Sequence, residues 1–320
     1  MEDYLELEDY ENLNSQIKLV IQEENRGMRL DKVLSLMIPK FSRSILQKWI
    51  DSGSVLVDGK KIKSKSLVLG GEDVEINPKF EMQHKLFSPE KLDLEIIHED
   101  DSIIVLNKSP GLVVHPGAGN WSGTLLNGLI YRWPSLELIP RAGIIHRLDK
   151  DTSGALIIAK NVAVQTNLVQ QLQNRVIFRG YLALVFGEPN STGTIDSPIG
   201  RHPRDRKKMA VRSTNFAKKA VTHYKKITTG ELDGNLVSLI KCELETGRTH
   251  QIRVHLSSIG FPIVGDQVYG KNHFRYLFYR QALHAETLEF KHPKNLKKCL
   301  WIANLPEDFK LLLQKTNIYF

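Results

Sequence analysis

The apolar residues of this chain change their spacing several times, and each change marks an element. Leu30, Val33, Leu34, Met37 and Ile38 recur at helical intervals, and Pro39 closes the run. Ile45, Leu46, Trp49 and Ile50 form a second helical stripe behind Ser42, whose hydroxyl suits an N-cap. The pattern then shortens. Val55 to Val57 reads as a strand, Asp58-Gly59 as a tight turn, and a further polar–apolar segment ends at Val74 to Ile76. Residues 94–117, LEIIHEDDSIIVLNKSPGLVVHPG, carry β-rich runs broken at Asp100-Asp101 and at Ser109-Pro110-Gly111. Helical spacing returns over 161–174, with Asn161 as a cap and Val164, Leu168 and Leu172 on one stripe. Strands follow at 180–186 and 236–244; the upper half of the second is apolar on both alternating faces. THQIRVHLSSIG, residues 249–260, predicts a helix with Ile252, Leu256 and Ile259 turned inward. Helices and strands do not alternate as βαβ units, so the fold class is α+β, built on a mixed or antiparallel sheet.

Charge divides the chain further. It has 320 residues and a formal net charge of +8, but residues 1–25 hold eight acidic side chains against one lysine. We read 1–25 as an acidic flexible arm. The remainder is therefore +15, which points to a polyanionic partner. Residues 26–80 form a small module with eleven basic and six acidic residues, in which Lys60, Lys61, Lys63 and Lys65 follow a tight turn as a phosphate-contacting edge. Residues 81–92 read as a linker, and 93–320 as the larger domain. Cys242 and Cys299 have no spacing that encodes a disulfide framework or zinc site. With no apolar signal core and no run of bilayer length, a cytoplasmic protein is expected.

Two segments concentrate charge. RHPRDRKKMAVR, residues 201–212, carries Arg201, Arg204, Arg206, Lys207, Lys208 and Arg212 against a single acid, Asp205. It suits contact with an RNA backbone; the alternative is a solvated hairpin tip. GIIHRLDKDTSG, residues 143–154, sets His146, Arg147, Asp149, Lys150 and Asp151 between two apolar runs. As a surface ion-pair turn it would contribute little; flanked by buried chain it is a candidate chemical site, with Thr152 and Ser153 as braces. No P-loop, dinucleotide fingerprint, HExxH or calcium loop is present, so no cofactor and no metal is expected.

GIIHRLDKDTSG resembles the signature of the RluA-type family of RNA pseudouridine synthases. VLNKSPGLVVHPG (105–117), RGYLALVFG (179–187), ETGRTHQIRVHLSSIGFPIVGDQVYG (245–270) and ALHAETLEFKHP (282–293) resemble its other motifs, in order. The module beginning RGMRLDKVL is similar to the small S4 RNA-binding domain. The resemblance implies a catalytic domain that converts uridine in RNA to pseudouridine without a cofactor. It implies Asp149 as the catalytic carboxylate, Tyr181 as the aromatic partner of the base and Arg248 as the arginine pairing with the aspartate. Arg147 would displace the target base, and Lys108, Pro110, His115 and His146 would support the site. Ser109 stands where family members commonly have proline, which implies a local change in turn rigidity. The S4 module and IGRHPRDRKKMAV are most similar to members acting on a hairpin loop of large-subunit ribosomal RNA, and a monomer is expected. A different ribosomal site, transfer RNA, a non-catalytic ribosome-assembly factor, and a metal-dependent RNA hydrolase using Asp149 and Asp151 are the alternatives.

The residues taken alone agree with this chemistry. Isomerisation breaks the C1′–N1 bond and joins C1′ to C5, with neither redox nor net hydrolysis. A carboxylate can attack C1′ or accept a proton during elimination. A nearby arginine would compensate its charge and fix its rotamer; Gly247 would let the chain turn so that Arg248 reaches Asp149, 99 residues earlier. Tyr181, at the start of an apolar strand, can stack on the detached ring or relay the C5 proton, or serve only as core packing. A paired base must first be flipped out, at a cost of a few kcal/mol that basic contacts offset.

Overall fold

The computed structural model describes residues 16–38, 43–77, 88–116, 120–205, 208–214, 217–270 and 277–319. The chain divides into two compact units, Met1–Leu86 and Phe87–Phe320.

In the first unit the two helical stripes form α1 (Leu30–Met37) and α2 (Arg43–Asp51). Leu30, Val33 and Leu34 of α1 and Leu46, Trp49 and Ile50 of α2 share one core with Val55, Val57, Val74 and Ile76. The sheet beside them has three strands, β1 (Ile17–Val20), β2 (Val55–Val57) and β3 (Asp73–Ile76), in the order β1-β3-β2. The turn after β2 places Asp58 and Gly59 at φ 48° and 73°, the left-handed pair a tight hairpin turn requires. Ile17–Val20 corrects the reading of 1–25 as a flexible arm. Charge masked a short strand there: Lys18 and Glu75 pair across β1 and β3, Ile17 packs against the core and Ile21 is fully buried. Residues 1–15, the Ser42 cap and Pro39 lie outside the described residues, as does most of the expected linker.

A buried carboxylate ties this unit together. Asp31, wholly buried at the start of α1, accepts from Arg29 at 2.8 and 3.0 Å, from Arg43 at 2.9 and 3.2 Å, and from Gln47. Burial alone would raise its pKa; the hydrogen bonds and Arg43's charge outweigh it and hold the carboxyl far below the usual range.

The second unit is built on a nine-stranded sheet. Its strands are β4 (Glu95–Glu99), β5 (Ile103–Lys108), β6 (Ser153–Ala159), β7 (Phe178–Phe186), β8 (Thr192–Asp196), β11 (Val221–Leu232), β12 (Asn235–Leu244), β13 (Leu283–Lys291) and β14 (Lys298–Ile302). The order is β4-β5-β6-β13-β7-β12-β11-β8, with β14 on β13. Among the described residues of this sheet only β6–β13 is parallel, so the sheet is mixed as expected. Its centre, β5, β6 and β7, is buried along nearly its whole length. Gly154 is required where β6 meets β13: its φ is 117°, and a Cβ there would lie 2.2 Å from the Ala285 carbonyl oxygen.

Helices α3 (Leu125–Arg132), α4 (Val162–Gln173), α5 (Gln251–Ser258) and α6 (Glu307–Lys315) accompany the sheet. Asn161 caps α4 by accepting from the Val164 N–H at 2.9 Å, as the sequence predicted. On α5, Ile252 and Leu256 are buried, but Ile259 is 38 % exposed, because the helix ends at Ser258 before the pattern does. A separate two-stranded hairpin, β9 (Ile199–Arg201) with β10 (Met209–Val211), carries the basic segment.

Candidate active site

The charged segment lies on the approach to β6. Ile144 and Ile145 run beside Ile157 and Ile158 of β6 and are buried, and His146 accepts weakly from the Ile157 N–H at 3.4 Å. Burial, reinforced by the charge of Arg179, pushes the His146 imidazole down to about 3, so it is neutral and structural. Arg147 then points to solvent, Leu148 is buried, and Asp149 is half-buried. Buried neighbours on either side thus aim Arg147 and Asp149 at the surface of the sheet's end.

The loop from 149 to 153 is pinned from several sides. Thr152 N–H closes a turn on the Asp149 carbonyl at 3.1 Å. Lys108, fully buried at the end of β5, donates to the carbonyls of Ser109, Leu112 and Lys150 at 2.8, 2.9 and 2.9 Å. Burial draws its ammonium down to about 7; Arg280 adds to that, while Asp151 and Asp149 oppose it. Arg280 donates to the Asp151 carbonyl at 3.1 Å and grips Asp308 with two hydrogen bonds. Gln281 donates to Thr152 Oγ1, and Ser153 Oγ meets His284 Nδ1 at 2.9 Å. Lys108 therefore fixes the two turns, 109–112 and 149–152, against each other. Pro110 is half-buried in the first turn, and His115 beyond it accepts from Arg141; burial, with Arg141 and Arg147 adding, pushes His115 down to about 4.

Asp149 meets an arginine, but not the one expected. Arg253 Nη1 on α5 donates to Asp149 Oδ2 at 2.9 Å, while Arg248 is exposed and its Nε donates to the Lys219 carbonyl at 3.1 Å. The correction has a local cause. Residues 246–250 lead into α5, and the left-handed bend is at His250, φ 58°, rather than at Gly247. That bend aims the first turn of α5 at the loop, so the residue that arrives is Arg253, next to the inward Ile252. Gly247 is small for another reason: a Cβ there would sit 2.7 Å from Arg179 Nη1.

Arg253 also donates from Nε and Nη2 to Asp266, at 2.7 and 2.9 Å. It is 5 % exposed and Asp266 1 %, so one buried guanidinium serves two carboxylates. Burial pushes Asp266 up, yet Arg253's hydrogen bonds and charge and the Val268 and Tyr269 N–H groups bring its pKa below the ordinary value. On the other side of Asp149, His250 Nε2 lies 3.8 Å from Oδ1, and His250 Nδ1 is 2.8 Å from the Tyr269 hydroxyl. The sequence reading missed Arg253, Asp266, His250 and Tyr269; all four fall within the one long segment 245–270, which was the available signal.

Tyr181 is buried on β7, paired with Cys242 of β12. Burial raises the phenol's pKa, Arg179 opposes the rise and Asp149 adds to it. Arg179, two residues earlier and on the same face, is 7 % exposed; its Nε has no hydrogen-bond partner, and Nη2 makes only a long bond to the Leu244 carbonyl at 3.4 Å.

Those predicted phosphate contacts that are described fall in two places. Lys60 and Lys61 are exposed beyond the β2 turn of the first unit. Arg201 and Arg204 are exposed on the β9–β10 hairpin, and Lys208 sits where that hairpin closes. Arg206 and Lys207 lie outside the described residues.

Two family models match the chain: RNA pseudouridylate synthase over residues 102–258 and S4 domain over residues 28–74. The chain is 45 % identical to the ribosomal large subunit pseudouridine synthase D of Xanthomonas campestris, over 95 % of this chain and 93 % of the relative. It is 44 % identical to the protein of that name in Escherichia coli K12, over 93 % and 94 %. Among solved structures it resembles human RNA pseudouridylate synthase domain containing 1, with TM-score 0.54, 28 % identity and coverage of 70 % of this chain and 95 % of that one. Human RNA pseudouridylate synthase domain containing 4 gives TM-score 0.55 at 26 % identity, over 71 % and 94 %.

Proposed function

The chain belongs to the RluA-type family of RNA pseudouridine synthases, and from that premise we propose that it isomerises uridines in large-subunit ribosomal RNA with Asp149 as the catalytic carboxylate. The observation that carries this reading is the half-buried Asp149 carboxylate held at 2.9 Å by a buried arginine, on a loop tied down from β5 by Lys108 and from β13 by His284. A carboxylate so held is oriented and still open to a ligand. It attacks C1′, or takes a proton during elimination, as the C1′–N1 electron pair passes to the uracil ring. The ring turns beside Tyr181 and C5 bonds to C1′ as the C1′–carboxylate bond breaks or, on the elimination route, as Asp149 returns the C2′ proton; the C5 proton then passes by way of the Tyr181 hydroxyl to water, which supplies a proton to N1. Arg147, exposed next to Asp149, takes the place of the flipped base. The S4 unit and the basic hairpin hold the RNA by its phosphates. The reaction asks for no cofactor. The enzyme works in the cytoplasm as a monomer on ribosomal RNA or a pre-ribosomal particle; no helix among the described residues is long and apolar enough to cross a membrane.

The test is a pseudouridine map of ribosomal and transfer RNA from cells with the parent gene, without it, and with Asp149→Asn. Loss of the same large-subunit sites in both mutants is expected. Loss confined to transfer RNA would move the substrate, and an unchanged map with the variant expressed would support a non-catalytic assembly factor.

A further inference from the structure

One side of Asp149 is occupied by a group the reaction as described does not use. His250 Nε2 lies 3.8 Å from Asp149 Oδ1, opposite the Arg253 contact. Its Nδ1 is 2.8 Å from the Tyr269 hydroxyl, and that hydroxyl accepts from the Met209 N–H at 2.8 Å. Met209 is the first residue of β10, immediately after the basic segment of the β9–β10 hairpin. Two hydrogen bonds and one 3.8 Å gap therefore separate the backbone of the basic hairpin from the catalytic carboxylate.

The Met209 amide can only donate, so the tyrosine oxygen accepts from it and can give its own hydrogen to His250 Nδ1. In that arrangement Nδ1 accepts, and the single proton of a neutral imidazole is on Nε2, facing the carboxylate. Burial first, with Arg253 and Arg147 adding to it and Asp149 and Asp266 opposing, leaves the imidazole below its ordinary pKa and neutral near pH 7. At 3.8 Å the Nε2–H is outside hydrogen-bond range, and a closure of roughly 1 Å would bring it inside. The backbone at His250 is left-handed, so the ring direction is set by the bend into α5 and by Tyr269 rather than by regular helix geometry.

We infer that Tyr269 is a positioning residue that couples the seating of RNA on the β9–β10 hairpin to the orientation of Asp149, acting through His250. The inference rests on the functional reading above. A phosphate drawn to Arg204 or Lys208 shifts the hairpin and with it the Met209 amide; Tyr269 follows and turns His250 toward Asp149. The carboxylate is then gripped from both sides only when RNA is in place.

Tyr269→Phe isolates the hydroxyl. The ring keeps its place under the Arg253 guanidinium, 5.1 Å away, and its edge contact with His250, and the Tyr269 backbone keeps its bonds to Asp266 and Ser257. His250→Asn removes the imidazole while retaining a residue that tolerates the left-handed backbone. The purified full chain is assayed by tritium release from a large-subunit ribosomal RNA transcript labelled at uridine C5, under single turnover at saturating RNA, with RNA affinity and melting temperature measured alongside. Each single variant is expected to be about tenfold slower, with affinity within about twofold of the parent, and the double variant no slower than the slower single. Multiplying effects in the double variant, an unchanged rate in Tyr269→Phe, or a loss confined to RNA affinity would overturn the coupling. If His250→Asn does not fold, the rate and affinity of Tyr269→Phe still decide. No release by the parent would overturn the functional reading, and the coupling with it.

Discussion

Arg253→Gln separates the arginine that holds the site from the one the sequence suggested. In the parent, Arg253 makes two hydrogen bonds to Asp266 and one to Asp149, and both Arg253 and Asp266 are almost wholly buried. Removing one partner of such a pair leaves an uncompensated carboxylate and typically costs about 3–5 kcal/mol. Asp266 keeps its bonds from the Val268 and Tyr269 amides, which places the loss near the lower end, at about 3 kcal/mol. With a denaturant slope of about 3 kcal/mol/M, the urea midpoint of the catalytic unit falls by about 1 M. The pH dependence supplies the sharper check. Asp266 has a folded pKa below its unfolded value, so its contribution is present above that unfolded value, about 4, and is lost as pH falls through the folded one. Without Arg253, burial is opposed only by the Val268 and Tyr269 amides and the Asp266 pKa rises, so in the variant acid relieves a cost. The stability gap between parent and variant therefore narrows from pH 7 toward pH 4.5. Arg248→Gln, altering an exposed side chain bonded to one carbonyl, stays within about 0.5 kcal/mol of the parent. A loss below about 1 kcal/mol for Arg253→Gln, or a gap of equal size at both pH values, would refute the account of a buried guanidinium serving two carboxylates.

Two further outcomes are expected. Replacing Arg204 and Lys208 together by Ala should lower the slope of log affinity against log salt by about 1.5, from roughly 0.7–0.9 per lost phosphate contact, and a filter-binding salt series with the RNA transcript checks it; an unchanged slope means the hairpin does not touch phosphate. Asp31→Asn removes the buried charge that Arg29, Arg43 and Gln47 share and should cost the S4 unit about 2 kcal/mol, seen as an earlier melting step with the catalytic unit's step unmoved.

What could be read from the sequence, and what could not, follows from how far each contact reaches. Periodicity located α1, α2 and α4 and strands β2, β3, β5 and β7, because burial against one face acts on neighbouring residues of the same element. It failed at β1, where Lys18 and the acidic residues around it outweighed Ile17, Leu19 and Ile21 in composition, although β3 supplies partners for that strand. The segment 143–154 stood out because charge between two buried stretches is unusual wherever it occurs, and the family resemblance singled out Asp149 within it. Its partner was not legible, since Arg248 and Arg253 occupy one segment and differ only in where the chain bends. The left-handed residue at His250 decides between them, and the enrichment of histidine in that uncommon conformation is too weak a preference to predict the bend. The same bend brings His250 itself beside Asp149, and Asp266, 13 residues beyond Arg253, holds the guanidinium from behind. The place of the charged loop is thus a local property of one segment, while the orientation of its carboxylate is assembled from β5, α5 and the residues just before β13, and only the folded chain brings those together.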